Sequence, residues 1–134
     1  MSTSVHHFGI VVKGIESYLG QSLWTIRGQV VTDPIQRCRL CMAALPTDTT
    51  ALIEIVEPLD EASPVWRALQ RTPTWHHVCL RASTMQAADA LIREKRLLPV
   101  TPWQPAVLFN GRAIRFVYTR SRELVEFLSD EVTS

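Results

Sequence analysis

The sequence predicts an α+β fold built from two βαβββ modules, and three repeated features indicate it. Four histidines stand as two doublets, residues 6–7 and 76–77, so that 70 residues separate the doublets. Each doublet opens a short apolar run of the kind that forms a strand. Each run is followed by a segment whose apolar residues recur at helical spacing, and then by further strand-like runs. An internal repeat of about half the chain explains all three features.

Module one is expected to span about residues 5–58. Its first strand is VHHFGIVV, and the helix that follows is expected over residues 14–28, closed by Gly28. Three strands come next, QVVT, RCRLCMAAL and ALIEIVEP, because the turn-forming stretches DP and PTDTT separate them. The dipeptide SP then predicts a short linker helix over about 62–71, since serine caps helices and proline fits their first turn.

Module two is expected to span about residues 74–130. Its first strand is WHHVCLRA, and Ser83 with Gln86 forms a capping box that predicts the start of its helix. The strand-like runs that follow are LLPV, AVLF, RAIRFVYT and LVEFLSD. The Asn-Gly dipeptide between AVLF and RAIRFVYT predicts a hairpin turn. With the linker helix, the two modules are expected to form one domain over residues 1–134.

A glutamate recurs in the last strand of each module, Glu54 in ALIEIVEP and Glu126 in LVEFLSD. Glu54 follows His7 by 47 residues, and Glu126 follows His77 by 49. Because residues two apart on a strand share a face, each carboxylate shares its face with apolar residues, where it costs several kcal/mol unless a cation accompanies it. Two imidazoles and two carboxylates therefore predict a site for a divalent metal ion with open coordination positions. The predicted ligands are His7, Glu54, His77 and Glu126.

The simpler interpretation of each residue is different. A histidine at the start of a strand is more often solvated or hydrogen-bonded, and a glutamate on a strand more often faces water. The recurrence of both residue types in both halves favours the metal site. The second histidine of each doublet is the expected ligand because it lies just before the apolar run, whereas His6 and His76 should point the other way.

Composition excludes several classes of protein. Fourteen basic and thirteen acidic side chains give a net charge of +1, which provides no basis for binding nucleic acid or a membrane surface. No apolar run approaches the roughly 20 residues of a membrane-spanning helix.

No signal peptide is evident at the start, so a cytoplasmic location is expected. Three cysteines do not suit a disulfide framework, and Cys38, Cys41 and Cys79 are expected to be buried thiols.

Four segments resemble the vicinal oxygen chelate superfamily, which includes glyoxalases and bleomycin-resistance proteins, and are most similar to its methylmalonyl-CoA epimerase-like members. They are HHFGIVVKGIESYL, IEIVEPLDEASPVWRAL, WHHVCLRA and LVEFL. The resemblance implies that the mixed sheet of both modules curls around a central cavity. It also implies a divalent ion (Zn, Co, Ni, Mn or Mg) bound by the same four residues, His7, Glu54, His77 and Glu126.

The activity implied by the resemblance is metal-dependent proton transfer next to the carbonyl or thioester of a small acyl substrate, such as a CoA or carrier thioester. Glu126 would move the proton with Glu54 as its partner, and the protein would be a homodimer. Two features depart from the epimerases. The only carboxylate near the second and third strands of module one is Asp33, and a Pro- and Trp-rich stretch replaces the usual glycine-rich loop. These departures leave two alternatives open, a non-catalytic binding protein for an antibiotic or metabolite and a lyase or isomerase of secondary metabolism.

Four further residues are candidates for contact with the substrate. Arg39 and Arg115 lie on strands expected around the cavity and could bind a carboxylate or phosphate in bidentate fashion. Trp103 and Phe109 could stack on the ligand, since pocket walls are commonly apolar. The simpler alternatives are outward-facing strand charge for the arginines and packing for the aromatic residues.

Overall fold

The computed structural model describes residues 3–133, and the chain divides into two compact units. Among the described residues, the first unit comprises residues 7–76, and the second comprises residues 77–133 together with residues 3–6. Both divisions fall inside a histidine doublet. The elements in chain order are β1 (Ser4–Val11), α1 (Ile15–Gln21), β2 (Thr25–Asp33), β3 (Cys38–Ala44), β4 (Ile53–Pro58), a 3-10 helix (Trp66–Arg71), β5 (Thr74–Ala82), α2 (Met85–Glu94), β6 (Leu98–Pro99), β7 (Gln104–Pro105), a 3-10 helix (Val107–Phe109), β8 (Arg112–Tyr118) and β9 (Leu124–Val132).

In the first unit the strand order is β2-β3-β4-β1. β1 pairs with β4 in parallel, whereas the β2–β3 and β3–β4 pairs are antiparallel. A parallel pair requires a crossover connection, and α1 begins that connection. The helix buries Ile15 against one face of the sheet, where it meets Ile10, Ile53 and Ile55. The other face of these strands is not covered by α1.

The second unit repeats this arrangement, because β5 pairs with β9 in parallel and β8 pairs with β9 antiparallel. α2 covers one face, where Ala88 and Ile92 pack against Val125 and Phe127. The strand equivalent to β2 is replaced by β6 and β7, two residues each, which both pair with β8. Both short strands end in proline, which has no N–H to donate to a longer ladder.

These pairings confirm the α+β class and the repeated βαβββ order, with a mixed sheet in each unit. The central cavity around which the sheet is expected to curl and the single-domain organisation stay predictions. None of the helices in the described part of the chain is both long and apolar enough to span a bilayer.

The expected helix over residues 14–28 is wrong in its second half, because α1 ends at Gln21. The Ser22 Oγ accepts a hydrogen bond from the Trp24 N–H at 3.1 Å, which turns the chain out of the helix. The β-branched Thr25 and Ile26 then pair with β3, so long-range pairing prevails over the local helical spacing. Gly28 lies in the β2 register shift at φ +77, which explains a glycine there.

Two smaller expectations in module two are also wrong. Thr84 rather than Ser83 caps α2, since its side chain accepts a hydrogen bond from the Ala87 N–H. The segment AVLF is not a strand, because most of it forms the 3-10 helix. The Asn-Gly turn does form, with Asn110 at φ 57 and Gly111 at φ 83, and it connects that 3-10 helix to β8.

Candidate metal centre

The first unit contains a buried pair formed by His7 and Glu54. Gly9 of β1 is the register partner of Glu54 on β4, and His7 lies two residues before Gly9, so both side chains share one face. Their neighbours Ile53 and Ile55 pack against α1, which places the pair on the face away from the helix. The His7 Nε2 and Glu54 Oε1 atoms are 3.8 Å apart, and the residues are 1% and 5% exposed.

The second unit contains the equivalent pair, His77 and Glu126. Cys79 of β5 is the register partner of Glu126 on β9, and His77 again lies two residues earlier. The His77 Nε2 and Glu126 Oε1 atoms are 3.2 Å apart, and the residues are 7% and 2% exposed. The ring of Phe116, which lies opposite Glu126 on β8, meets the imidazole of His77 edge-to-face at 5.6 Å.

The two pairs occupy the same position in the repeat. In each unit the histidine stands two residues before the register partner of the glutamate, on a parallel pair of strands. The first histidine of each doublet differs, since His6 and His76 are half-buried rather than buried. His6 meets the Phe109 ring edge-to-face, with 5.2 Å between the ring centroids. This difference in burial agrees with the alternation of side chains that the sequence predicts along each strand, and the choice of His7 and His77 as ligands stays a prediction.

The donor set suits a divalent transition metal. Each of the four buried side chains offers one ligand atom, two being imidazole nitrogens and two carboxylate oxygens. Imidazole and carboxylate are the ligands that Zn, Co, Ni and Mn accept. A buried carboxylate also needs a compensating cation or hydrogen bonds, because isolated burial of its charge costs several kcal/mol.

Arg39 lies on the face of the first unit that α1 covers. It pairs in register with Glu57, and its Nη1 is 3.1 Å from Glu57 Oε1, while its Nη2 bonds the carboxylate of Glu16 on α1. These two carboxylates raise the pKa of Arg39. The structure therefore places Arg39 away from the face of Glu54.

Arg115 and Trp103 have a similar environment in the second unit. The Nη1 of Arg115 and the indole Nε1 of Trp103 donate hydrogen bonds to Asp89 of α2 at 2.8 Å and 3.0 Å. Arg115 is the register partner of Phe127, whose side chain packs under α2. Both residues therefore lie on the helix-covered side of the sheet. Phe109 differs, because it packs in the cluster on the opposite side, to which Phe116 belongs.

Asp33 is the last residue of β2, and its carboxylate stabilises the turn that follows. Its Oδ1 accepts hydrogen bonds from the backbone N–H groups of Ile35 and Gln36 at 2.9 Å and 3.1 Å, which closes the turn into β3. The residue directly opposite Glu54 on β3 is Met42. On this face of the first unit, the described strand residues offer no carboxylate besides Glu54 and Asp33.

All three cysteines are buried thiols rather than disulfides, as the sequence predicts. Burial raises the pKa of both the Cys38 and Cys41 thiols to about 11. The Sγ of Cys38 lies 3.3 Å from the Oγ of Ser63, and Cys79 is the register partner of Glu126. Sequence reasoning did not single out Met42 and Phe116, which face the two glutamates, because only the strand register identifies them.

Two βαβββ units, each with a buried His/Glu pair on the face away from its helix, define a glyoxalase-type arrangement. No protein-family model matches the chain. An ethylmalonyl-CoA/methylmalonyl-CoA epimerase of Cereibacter sphaeroides is 23% identical over 121 residues, which cover 87% of this chain and 88% of that protein.

Solved structures show the same likeness in fold. The methylmalonyl-CoA epimerase of Mycobacterium tuberculosis matches with a TM-score of 0.76 and 21% identity, covering 95% of this chain and 87% of that one. A variant of the Streptomyces coelicolor methylmalonyl-CoA epimerase, in complex with 2-nitronate-propionyl-CoA, matches with a TM-score of 0.76 and 20% identity, covering 100% and 99%. The resemblance to this group of proteins is confirmed, and the chain has their fold.

Proposed function

We propose that the protein is a metal-dependent isomerase of the epimerase type, which moves a proton next to the carbonyl or thioester of a small acyl substrate. The observation that carries the proposal is the buried His/Glu pair, which occurs twice at the same register position. One ion per chain would be held by His7, Glu54, His77 and Glu126. When bound, a divalent ion supplies Lewis acidity that stabilises negative charge on a substrate oxygen.

Glu126 is the proposed proton-transfer group, and Glu54 is its partner. Glu126 lies between Cys79 and Phe116 in register, and Phe116 and Leu128 belong to the apolar cluster on this face. An apolar surrounding excludes water, and a carboxylate that is less solvated accepts a proton more readily. Phe109 belongs to the same cluster and is proposed as an apolar contact for the acyl group.

The similar proteins support a thioester as the substrate. The Cereibacter sphaeroides relative is named for ethylmalonyl-CoA and methylmalonyl-CoA, and the Streptomyces coelicolor structure holds 2-nitronate-propionyl-CoA. We therefore propose a small acyl-CoA or carrier thioester for this chain. A homodimer and a cytoplasmic location belong to the same proposal.

A non-catalytic binding protein of the same fold is the second candidate. It is favoured by the absence of a further available carboxylate among the described strand residues on the face of Glu54, since Asp33 closes a turn and Met42 stands opposite Glu54. Such a protein would sequester a small molecule without turning it over.

Metal content tests the first part of the proposal. After purification without chelators, elemental analysis of the wild-type protein should find about one divalent ion per chain, and the His77→Ala variant should hold much less. His76→Ala is the matched control and should retain the ion. A wild-type protein that holds no more Zn, Co, Ni or Mn than His77→Ala contradicts the proposal.

Deuterium exchange separates catalysis from binding. In D₂O the metal-loaded enzyme should introduce label at the α-carbon of methylmalonyl-CoA or a related acyl thioester. Glu126→Gln should slow this exchange by about a hundredfold or more, whereas Glu94→Gln, at the exposed end of α2, should not. Stabilisation by a thioester without any exchange would favour the binding protein instead.

A further inference from the structure

A cavity of about 580 Å³ lies at the end of β8 in the second unit. It is formed by the end of α2, by β6 and by the turn between β8 and β9. Its lining residues are Arg96, Leu98, Tyr118, Thr119, Arg120 and Arg122. Three of these six side chains are guanidinium groups, so the cavity is basic although the protein as a whole is nearly neutral.

The three cavity arginines have no acidic partner within the described residues 3–133, and this distinguishes them from the arginines of the nearby strands. Arg81 and Arg112 both bind Asp130, and Arg115 binds Asp89. The acidic residues nearest in sequence are Glu94 for Arg96 and Glu123 for Arg120 and Arg122. The carboxylate of Glu123 accepts hydrogen bonds from the hydroxyls of Ser121 and Thr119. The cavity therefore presents positive charge that no ion pair of the described residues neutralises.

Two of these arginines stand where the backbone favours glycine. Arg96 follows the end of α2 at φ 55, and Arg122 closes the β8–β9 turn at φ 68. The left-handed conformation at a helix end or in a tight turn is the usual position of glycine, which has no Cβ to strain. Both positions instead direct a long cation into one cavity, at a cost in backbone strain.

The cavity lining also includes two partly exposed residues with large apolar groups, Tyr118 and Leu98. Tyr118 and Leu98 are register partners on β8 and β6, with exposures of 41% and 65%. An aromatic ring beside several guanidinium groups is the combination that stacks a base and binds its phosphates in bidentate fashion. We infer that this cavity binds the phosphates and base of a nucleotide.

The cavity lies on the same side of the sheet as Glu126. Tyr118 is two residues beyond Phe116 on β8, and Phe116 is the register partner of Glu126. Two strand residues correspond to about 7 Å, so a ligand with a long flexible arm can reach from the cavity to the glutamate. The nucleotide half of a CoA thioester meets this requirement, and this assignment to CoA rests on the proposed function. A free nucleotide is the other source of the same chemistry.

Calorimetric titration of CoA in the presence of EDTA tests the site without requiring metal or turnover. Arg96→Gly and Arg122→Gly should each weaken CoA binding by about tenfold, because each removes a charge-assisted contact to phosphate. Both changes place glycine at a left-handed position, so the fold should be at least as stable as in the wild type. Arg37→Gly is the matched control, since Arg37 also has a positive φ (53) but does not line the cavity.

Further ligands identify what is recognised. Tyr118→Leu should weaken CoA binding but leave the binding of inorganic diphosphate unchanged. Tighter binding of CoA than of dephospho-CoA and ADP assigns the cavity to CoA, whereas tightest binding of ADP assigns it to a free nucleotide. The inference is overturned if none of these compounds binds at millimolar concentration, or if Arg37→Gly weakens binding as much as Arg96→Gly and Arg122→Gly. Because EDTA is present, loss of the metal site leaves these results unaffected.

Discussion

The carboxylate of Asp89 organises the helix-covered side of the second unit. It accepts a hydrogen bond from Trp103 Nε1 at 3.0 Å and one from Arg115 Nη1 at 2.8 Å. Arg115 also donates from its Nε to the Thr101 carbonyl oxygen at 3.0 Å. Through these hydrogen bonds, Arg115 and Trp103 hold the segment before β8 against α2. Their structural task explains an arginine and a tryptophan that the sequence also makes candidates for substrate contact.

Asp89→Ala is expected to lower the free energy of unfolding by about 1–3 kcal/mol, because it leaves partly buried donors on Arg115 and Trp103 without their acceptor. Urea denaturation followed by Trp fluorescence measures the change. Asp130→Ala is the control, since Asp130 is an exposed partner of Arg81 and Arg112 and should cost less than about 1 kcal/mol. Equal effects of the two substitutions would contradict the role given to Asp89.

Helix boundaries in this protein depend on single hydrogen bonds and on competing strand pairing. α2 begins at Met85 because the Thr84 side chain caps it, and the adjacent Ser83 has no part in that bond. α1 ends at Gln21 because the following residues join β2. The element equivalent to β2 is broken in the second unit, where Pro99 and Pro105 end β6 and β7. The end of α1 is therefore set by the pairing of the next residues with a strand rather than by the local helical spacing.

Thr84→Ala should destabilise the protein by about 1 kcal/mol, because loss of an N-cap leaves a helix N–H without its acceptor. Ser83→Ala is the matched comparison and should change stability by a few tenths of a kcal/mol at most. Thermal or urea unfolding of both variants gives the answer. A larger loss for Ser83→Ala than for Thr84→Ala would show that the cap lies one residue earlier.

The molecule as a whole repeats one constellation twice, and neither pair alone supplies a usual set of ligands. A structural or catalytic zinc site has at least three protein ligands, whereas one His/Glu pair offers two. The proposed ion therefore depends on both halves of the sequence. The surroundings of the two glutamates differ. Glu126 has the apolar cluster of Phe116 and Leu128 beside it, whereas Glu54 has Met42 as its register partner. The two copies have diverged around a common pair.

Metal binding should consequently be lost by substitution in either half. His7→Ala and His77→Ala should each abolish binding of the single ion, and Mn²⁺ or Zn²⁺ should raise the melting temperature of the metal-free wild type but of neither variant. At a free ion concentration one hundred times Kd, the stabilisation should be about 2.7 kcal/mol. Retention of one ion by each variant would instead indicate two independent sites of two ligands.

Much of the candidate site can be predicted from local regularities of the chain. Side chains alternate on a strand with a period of two, so the sequence alone distinguishes His7 from His6 and places Glu54 and Glu126 on apolar faces. The repeat spacing then relates one half to the other, and the parallel registers agree with it. These inferences needed no knowledge of long-range contacts.

Other features depend on residues that are distant in sequence. The partners of Arg39 and Arg115 lie 18 and 26 residues away, and the end of α1 depends on pairing with β3. The cavity at the end of β8 has both Arg96 and Arg122 in its lining, although 26 residues separate them in the sequence. The sequence therefore determined which residues repeat and which way they point, because both are periodic along the chain. Tertiary structure determined which charges are neutralised and which stay available, because that depends on the residues that packing brings together.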